Sequence, residues 1–130
     1  MELTAAVLDP VVSAALAEDV GDGDVTTNRL VPADVRCRAE LLLEEPGVVC
    51  GLPAVRAVLA ALDPAVRVDP LVAEGAHVVA APRPVAAIEG AARAVLTGER
   101  TALNLFGRLC GIATLTARYV AAVEGTPARI

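Results

Sequence analysis

Five residues near the end of the chain, Arg100, Asn104, Arg108, Gly111 and Arg118, share a stripe about 80° wide when wound as an α-helix at about 100° per residue. Guanidinium groups stacked on one helix face repel one another and need partners from outside the helix. Solvent and acidic neighbours can supply them, and so can an anionic ligand or a facing subunit. Arginine's planar fork matches the two oxygens of a carboxylate or phosphate, and Gly111 has no side chain to hold a ligand off. On these residues alone, a solvated face and an anion site both stay open.

A second cluster places Glu18, Asp19, Asp22 and Asp24 within seven residues. Asp22, Asp24, Thr26 and Asn28 alternate as calcium-loop ligands do, but the sixth position of such a loop is Thr27 instead of glycine and the twelfth is Ala33 instead of glutamate. A helix exit and turn, with Asp24, Thr26 and Thr27 bonding local backbone, is the better reading. His77 is the sole histidine and Ser13 the sole serine, and neither has the companions of a catalytic triad. Cys37, Cys50 and Cys110 are scattered without a Cys-x-x-Cys pair, and read as free thiols of a reducing cytoplasm. These residues point to no catalytic nucleophile and no metal-ligand set.

Composition narrows the classes further. At 130 residues and 55% hydrophobic, the chain can bury a core without disulfides, and it is too apolar for intrinsic disorder. Phe106 and Tyr119 are the only aromatics, so the core must be aliphatic. All 11 basic residues are arginine, which removes Schiff-base and P-loop lysine chemistry. A net charge of -5 argues against nucleic acid, because phosphate binding needs a basic surplus. No run reaches the roughly 20 apolar residues of a membrane span, and Met1-Glu2-Leu3-Thr4 lacks the basic start of a signal peptide.

The elements follow from periodicity. Pro10 to Ala17 reads as a short helix opened by Pro10, with Leu8, Val11, Ala14 and Ala15 on its apolar face. Val35 to Leu43 alternates with Arg36, Arg38, Glu40 and Glu44, which predicts a strand with one solvated face and hence an antiparallel sheet. Pro46-Gly47 is a turn, followed by a strand at Val48 to Cys50. Pro53 to Leu62 is a helix closed by Asp63-Pro64. Short strands are expected around Val66 to Val72, Val78-Val79 and Val85 to Ile88, with Pro82 and Pro84 confining the last region to a turn or a sheet edge. From about Thr97 to Val123 the helical period runs through Leu103, Phe106, Leu109, Cys110, Ala113, Ala117, Val120 and Val123. Gly98 is a poor interior residue, so this helix is expected to begin just after it or to kink there. Ala128 to Ile130 looks like the beginning of an extended segment.

Three segments together resemble one family. They are Leu16-Ala17-Glu18-Asp19-Val20-Gly21-Asp22-Gly23-Asp24-Val25-Thr26-Thr27, the stretch from Gly90 to Asn104 with its Glu-Arg-Thr-Ala-Leu-Asn block, and Gly111-Ile112-Ala113-Thr114. Their order and spacing are similar to the amino-terminal half of the quinolinate phosphoribosyltransferases, the carboxylating nicotinate-nucleotide pyrophosphorylases. The resemblance implies an enzyme that joins quinolinate to the ribose of phosphoribosyl pyrophosphate with Mg2+, yielding nicotinate mononucleotide, pyrophosphate and CO2 for NAD synthesis. It implies a cytoplasmic homodimer whose sites are shared between subunits. Arg100 matches an arginine that approaches the quinolinate carboxylates from the neighbouring subunit, which favours the anion reading there; Arg108 and Arg118 gain nothing from it. Cys110 stands where the family usually has serine, and Ala80-Ala81-Pro82 replaces a glycine-containing turn, which leaves the local hairpin geometry open.

The expected fold is therefore α+β. Residues 1–96 would form an α/β sandwich with a short antiparallel sheet and helices on one face, a substrate-capping and dimerisation domain. Residues 97–130 would be the first helix and the start of the first strand of a truncated α/β barrel. The remaining groups for substrate and Mg2+ would lie on residues absent from this chain, so the chain alone is expected to be inactive. Two alternatives are a related phosphoribosyltransferase-like protein associated with molybdate transport and a non-enzymatic dimerisation or binding module.

Overall fold

The computed structural model describes residues 4–130; residues 1–3, which carry most of the argument against a signal peptide, lie outside them. The chain forms α1 (Ala5–Asp19), α2 (Val25–Leu30), β1 (Arg36–Leu43), β2 (Gly47–Val48), α3 (Leu52–Leu62), β3 (Arg67–Pro70), β4 (His77–Val78), β5 (Arg83–Ala91) and α4 (Ala92–Ala122). All strand pairing is antiparallel. One sheet has the order β1-β5-β3, and β2 pairs with β4 in a second, two-stranded one.

The larger sheet keeps the two faces that its alternation predicts. Leu41, Val68 and Ile88 point inward and are buried. Arg38, Glu40, Arg67 and Asp69 line the solvated face. The buried face meets Val55 and Leu59 of α3 and Val95 and Ala102 of α4, so the helices cover one side. Val49, Val55, Val58 and Val85 are fully buried, each contributing about 1.5–3 kcal/mol from burial. No buried side-chain polar atom among the described residues lacks a partner.

Several expectations need correction. Helix α1 begins at Ala5, so Pro10 lies inside it. Among its described side chains Leu8 and Val12 are the buried ones, with Leu16 packed on the core, whereas Val11 and Ala14 are exposed. The i, i+4, i+8 row that packs on the core, rather than the proline, determines the extent and rotation of this helix. Pro84 belongs to β5, which is the central strand and not an edge. It is tolerated because the β1 register shifts between Leu41 and Leu42 beside it and the β3 pairing ends at Ala86. The turn before β5 contains a cis Ala81–Pro82 peptide.

Helix α4 begins at Ala92 and runs through Gly98 into its C-terminal half. A Cβ at Gly98 would stand 2.8 Å from Leu62 Cδ1 and 3.0 Å from Leu59 Cδ2. The glycine is there to let α3 approach, and that packing outweighs its poor helix propensity. Residues 128–130 form no strand, since a strand needs a neighbour to hydrogen-bond.

Candidate functional site

The site is built on the first half of α4 and the acidic loop that docks against it. Asp24 caps α2, accepting the Thr27 amide at 2.9 Å. Sequence periodicity missed this six-residue helix. Its far end is held by Arg93 of α4, which donates to the carbonyls of Val31 at 2.7 Å and Asn28 at 3.1 Å. Two threonines one helical turn apart complete the attachment. The Thr97 hydroxyl donates to Asp24 Oδ2 at 3.1 Å, and the Thr101 hydroxyl donates to Asp19 Oδ2 at 2.7 Å. The local reading of the acidic loop is thus half the account: Asp24 does bond local backbone, but Asp19 and Asp24 also reach across to α4. Hydrogen bonds from Thr27 hold the Asp24 carboxyl below its ordinary value.

Arg100 lies between these threonines in sequence and is exposed. It shares a groove of about 340 Å³ with Asp19, Val20, Gly23, Asp24, Val25, Leu96, Thr97 and Glu99. The ion pairs among the described residues both end on Glu89, from Arg38 at 3.4 Å and from Arg67 at 2.8 Å. Arg100 therefore has no intrachain carboxylate partner among the described residues, although acids line its groove.

The rest of the arginine stripe does not converge on that groove. Asn104, Arg108, Gly111 and Arg118 are exposed, and open space surrounds a Cβ built at Gly111. Arg118 borders a different groove, with Gly47, Cys110 and Thr114, about 27 Å along the helix from Arg100 at 1.5 Å per residue. Gly111-Ile112-Ala113-Thr114 has a structural role through Thr114, whose hydroxyl oxygen accepts the Val48 amide at 2.9 Å. His77 and Ser13 are exposed. A concavity of about 790 Å³ between α1 and α3 is lined mainly by apolar side chains, and its Arg56 donates to the Val68 carbonyl.

Helix spacing put Arg100 on a stripe with four other residues and the family resemblance singled it out, but neither pointed to the residues that frame it. Thr97 and Thr101 carried a signal in hindsight, an i, i+4 pair of hydroxyls next to an acidic loop. Their partners are 73 and 82 positions away, a separation at which periodicity says nothing. No group of three His, Cys, Asp or Glu among the described residues is arranged to hold a metal ion. Asp19 and Asp24 are engaged by the threonines, and the residues present do not fit a Mg2+ site.

Comparison with known proteins gives the family of the chain. Residues 24–110 match the family model for the quinolinate phosphoribosyl transferase N-terminal domain. The chain is 41% identical over 123 residues to the probable carboxylating nicotinate-nucleotide pyrophosphorylase of Synechocystis sp., covering 95% of this chain and 41% of that protein. It is 39% identical over 125 residues to the carboxylating nicotinate-nucleotide pyrophosphorylase of Mycobacterium leprae, covering 92% and 43%. The crystal structure of NadC from Streptococcus pyogenes superposes with a TM-score of 0.88 at 34% identity, over 95% of this chain and 44% of that one. The nicotinate-nucleotide pyrophosphorylase of Francisella tularensis does so with a TM-score of 0.86 at 27% identity, over 95% and 44%. The chain thus spans less than half the length of the relatives it matches. It belongs to the quinolinate phosphoribosyltransferase family, whose N-terminal domain it carries.

Proposed function

We propose that this chain is the substrate-capping portion of a phosphoribosyltransferase that joins quinolinate to phosphoribosyl pyrophosphate, releasing pyrophosphate and CO2 and leaving nicotinate mononucleotide. The observation that carries the reading is Arg100, an exposed guanidinium with no carboxylate partner among the described residues, on the helix that carries the Glu-Arg-Thr-Ala-Leu-Asn block. Its role is binding. A guanidinium takes a pyridine carboxylate through two parallel hydrogen bonds, orients the ring and offsets its negative charge. It cannot move a proton at neutral pH, so acid–base and bond-making groups must come from elsewhere in the enzyme. Mg2+ accompanies the reaction in this reading, and no step is assigned to it on these residues.

In the same reading residues 1–96 form the capping and dimerisation layer, and residues 97–130 lead into an α/β barrel. The enzyme is a cytoplasmic homodimer in which Arg100 serves the partner's site. Exposed Ile112, Leu115, Tyr119 and Val120 on the second half of α4 support further packing there.

The test is steady-state kinetics on the whole protein with Arg100→Ala and Arg100→Lys. Loss of a charge-assisted bidentate contact should raise the KM for quinolinate by about tenfold or more, with lysine recovering part of it. An unchanged KM in Arg100→Ala overturns the role. Nicotinate mononucleotide formed by the 130-residue chain alone would overturn the assignment of this part as inactive by itself.

A further inference from the structure

We propose that Thr97 and Thr101 are positioning residues that hold the Asp24 and Asp19 carboxylates away from Arg100, keeping its guanidinium open to a ligand carboxylate. The proposal rests on the reading of Arg100 as a carboxylate-binding residue. Asp19, Asp24, Glu99 and Arg100 line one groove, where a free carboxylate competes for the guanidinium with the modest strength of a surface ion pair unless other bonds hold it. The two acids that reach this groove from the loop are so held. Asp19 Oδ2 accepts the hydroxyl of Thr101, which is 1% exposed and has no water to turn to. Asp24 is held on both oxygens, by the Thr27 amide and by the Thr97 hydroxyl. Glu99 is the chain neighbour of Arg100, and adjacent helix positions do not face each other.

Thr101, next to Arg100 in sequence, directs Asp19 about 100° round the helix. Thr97, three positions before Arg100, is its neighbour on the helix surface and with Thr27 engages both oxygens of Asp24. Neither acid comes within ion-pair distance of the guanidinium. A hydroxyl suits the task because it satisfies a carboxylate without adding a positive charge that would compete for the ligand. Thr→Val keeps the shape, removes the donor and frees the acid to swing toward the guanidinium.

The experiment compares Thr101→Val, Thr97→Val and each variant combined with the matching Asp19→Asn or Asp24→Asn. Hydrogen exchange at the Arg100 Nε–H is followed by NMR in the 130-residue chain, and the KM for quinolinate is measured in the whole protein. The expected result is slowed Nε–H exchange in the valine variants and a KM raised up to about fivefold, the strength of a surface ion pair acting as competitor. The change in kcat should be smaller, and adding the asparagine should reverse both effects, because Asn cannot form the competing ion pair. A merely structural role predicts no reversal, since the second substitution removes more of the same bonding. Unchanged exchange and KM, or a raised KM that Asn does not restore, overturns the proposal. Thr97 is only half-buried, so Thr97→Val serves if Thr101→Val does not fold. Arg100→Ala separates the two levels. If it raises KM while the threonine variants do nothing, only this inference falls; if it leaves KM unchanged, the reading beneath it falls as well.

Discussion

The sulfur of Cys110 lies 3.3 Å from the amide nitrogen of Cys50 and 3.3 Å from its carbonyl oxygen, accepting from one and donating to the other. One side chain of α4 thus satisfies both backbone groups of a residue 60 positions away, at the turn into α3. The contact is one of three that fasten this stretch to α4. Thr114 bonds the Val48 amide, and Gly51, whose φ of +108° favours glycine, leaves room for Leu109.

Cys110→Ser should fold, because a hydroxyl offers the same donor and acceptor. Cys110→Ala should lose about 1 kcal/mol, since it leaves the backbone groups of the half-buried Cys50 without their protein partner. Urea denaturation of the three proteins measures this. Equal stability of the alanine and serine variants would show that the sulfur serves as filler and not as a bonding partner.

Burial pushes the Cys50 and Cys110 thiols above their ordinary value. At pH 8 both should alkylate more slowly in the native chain than in the urea-unfolded one. Mass mapping of iodoacetamide adducts over time gives the rates, and equal rates for native and unfolded protein would contradict the burial.

Two glycines of α4 should respond with opposite signs. Gly107→Ala places its Cβ in open space and should stabilise by about 0.5–1 kcal/mol through helix propensity alone. Gly98→Ala gains the same propensity but drives its Cβ into Leu62 and the buried Leu59, and overpacking of about 1–3 kcal/mol should leave it less stable. Thermal melts of the two single variants decide, and a stabilised Gly98→Ala would mean that α3 can yield.

Glu74 accepts the amides of Gly51 and Leu52 at the start of α3, a cap delivered from a distant loop to a helix whose N-cap residue has no side chain. Glu74→Ala should cost about 1 kcal/mol, and Glu74→Gln less, because the amide oxygen still accepts. Amide exchange at Gly51 and Leu52 should accelerate in the alanine variant. Unaltered protection there would remove the cap from the account.

Acid should destabilise the chain through Asp24 and Glu89. Thr27 lowers the Asp24 pKa. The hydrogen bond from Arg67 and then the charge of Arg38 lower that of Glu89. A depressed folded pKa gives stability that is present above the unfolded value and lost as pH falls through the folded one. The loss should therefore set in as pH falls toward the ordinary values of 4.5 for Glu89 and 3.8 for Asp24 and continue beneath them. Urea midpoints between pH 6 and pH 3 should fall less steeply in Glu89→Gln and Asp24→Asn, and the Glu89 part should shrink in high salt. Parallel curves for wild type and variants would rule these groups out.

Local patterning made much of the frame legible. Alternation in β1 named the inward residue Leu41 and the outward arginines, because a strand's period of two depends only on neighbours. Pro53 and Asp63-Pro64 marked α3 because capping is settled within a turn. The Glu-Arg-Thr-Ala-Leu-Asn block, together with the acidic loop and Gly111-Ile112-Ala113-Thr114, was enough to point to the family. What sequence alone could not decide were balances between distant groups. Gly98 stays helical because α3 needs the space, and Pro84 enters a central strand because its neighbours' ladders break beside it. Val11 and Ala14 turn outward because the packed row of α1 is Leu8, Val12 and Leu16. The site shows the same division. Helical periodicity alone placed Arg100 on an outer face, while its openness depends on Asp19 and Asp24 meeting threonines more than 70 residues away, and only the folded chain brings those groups within hydrogen-bonding distance.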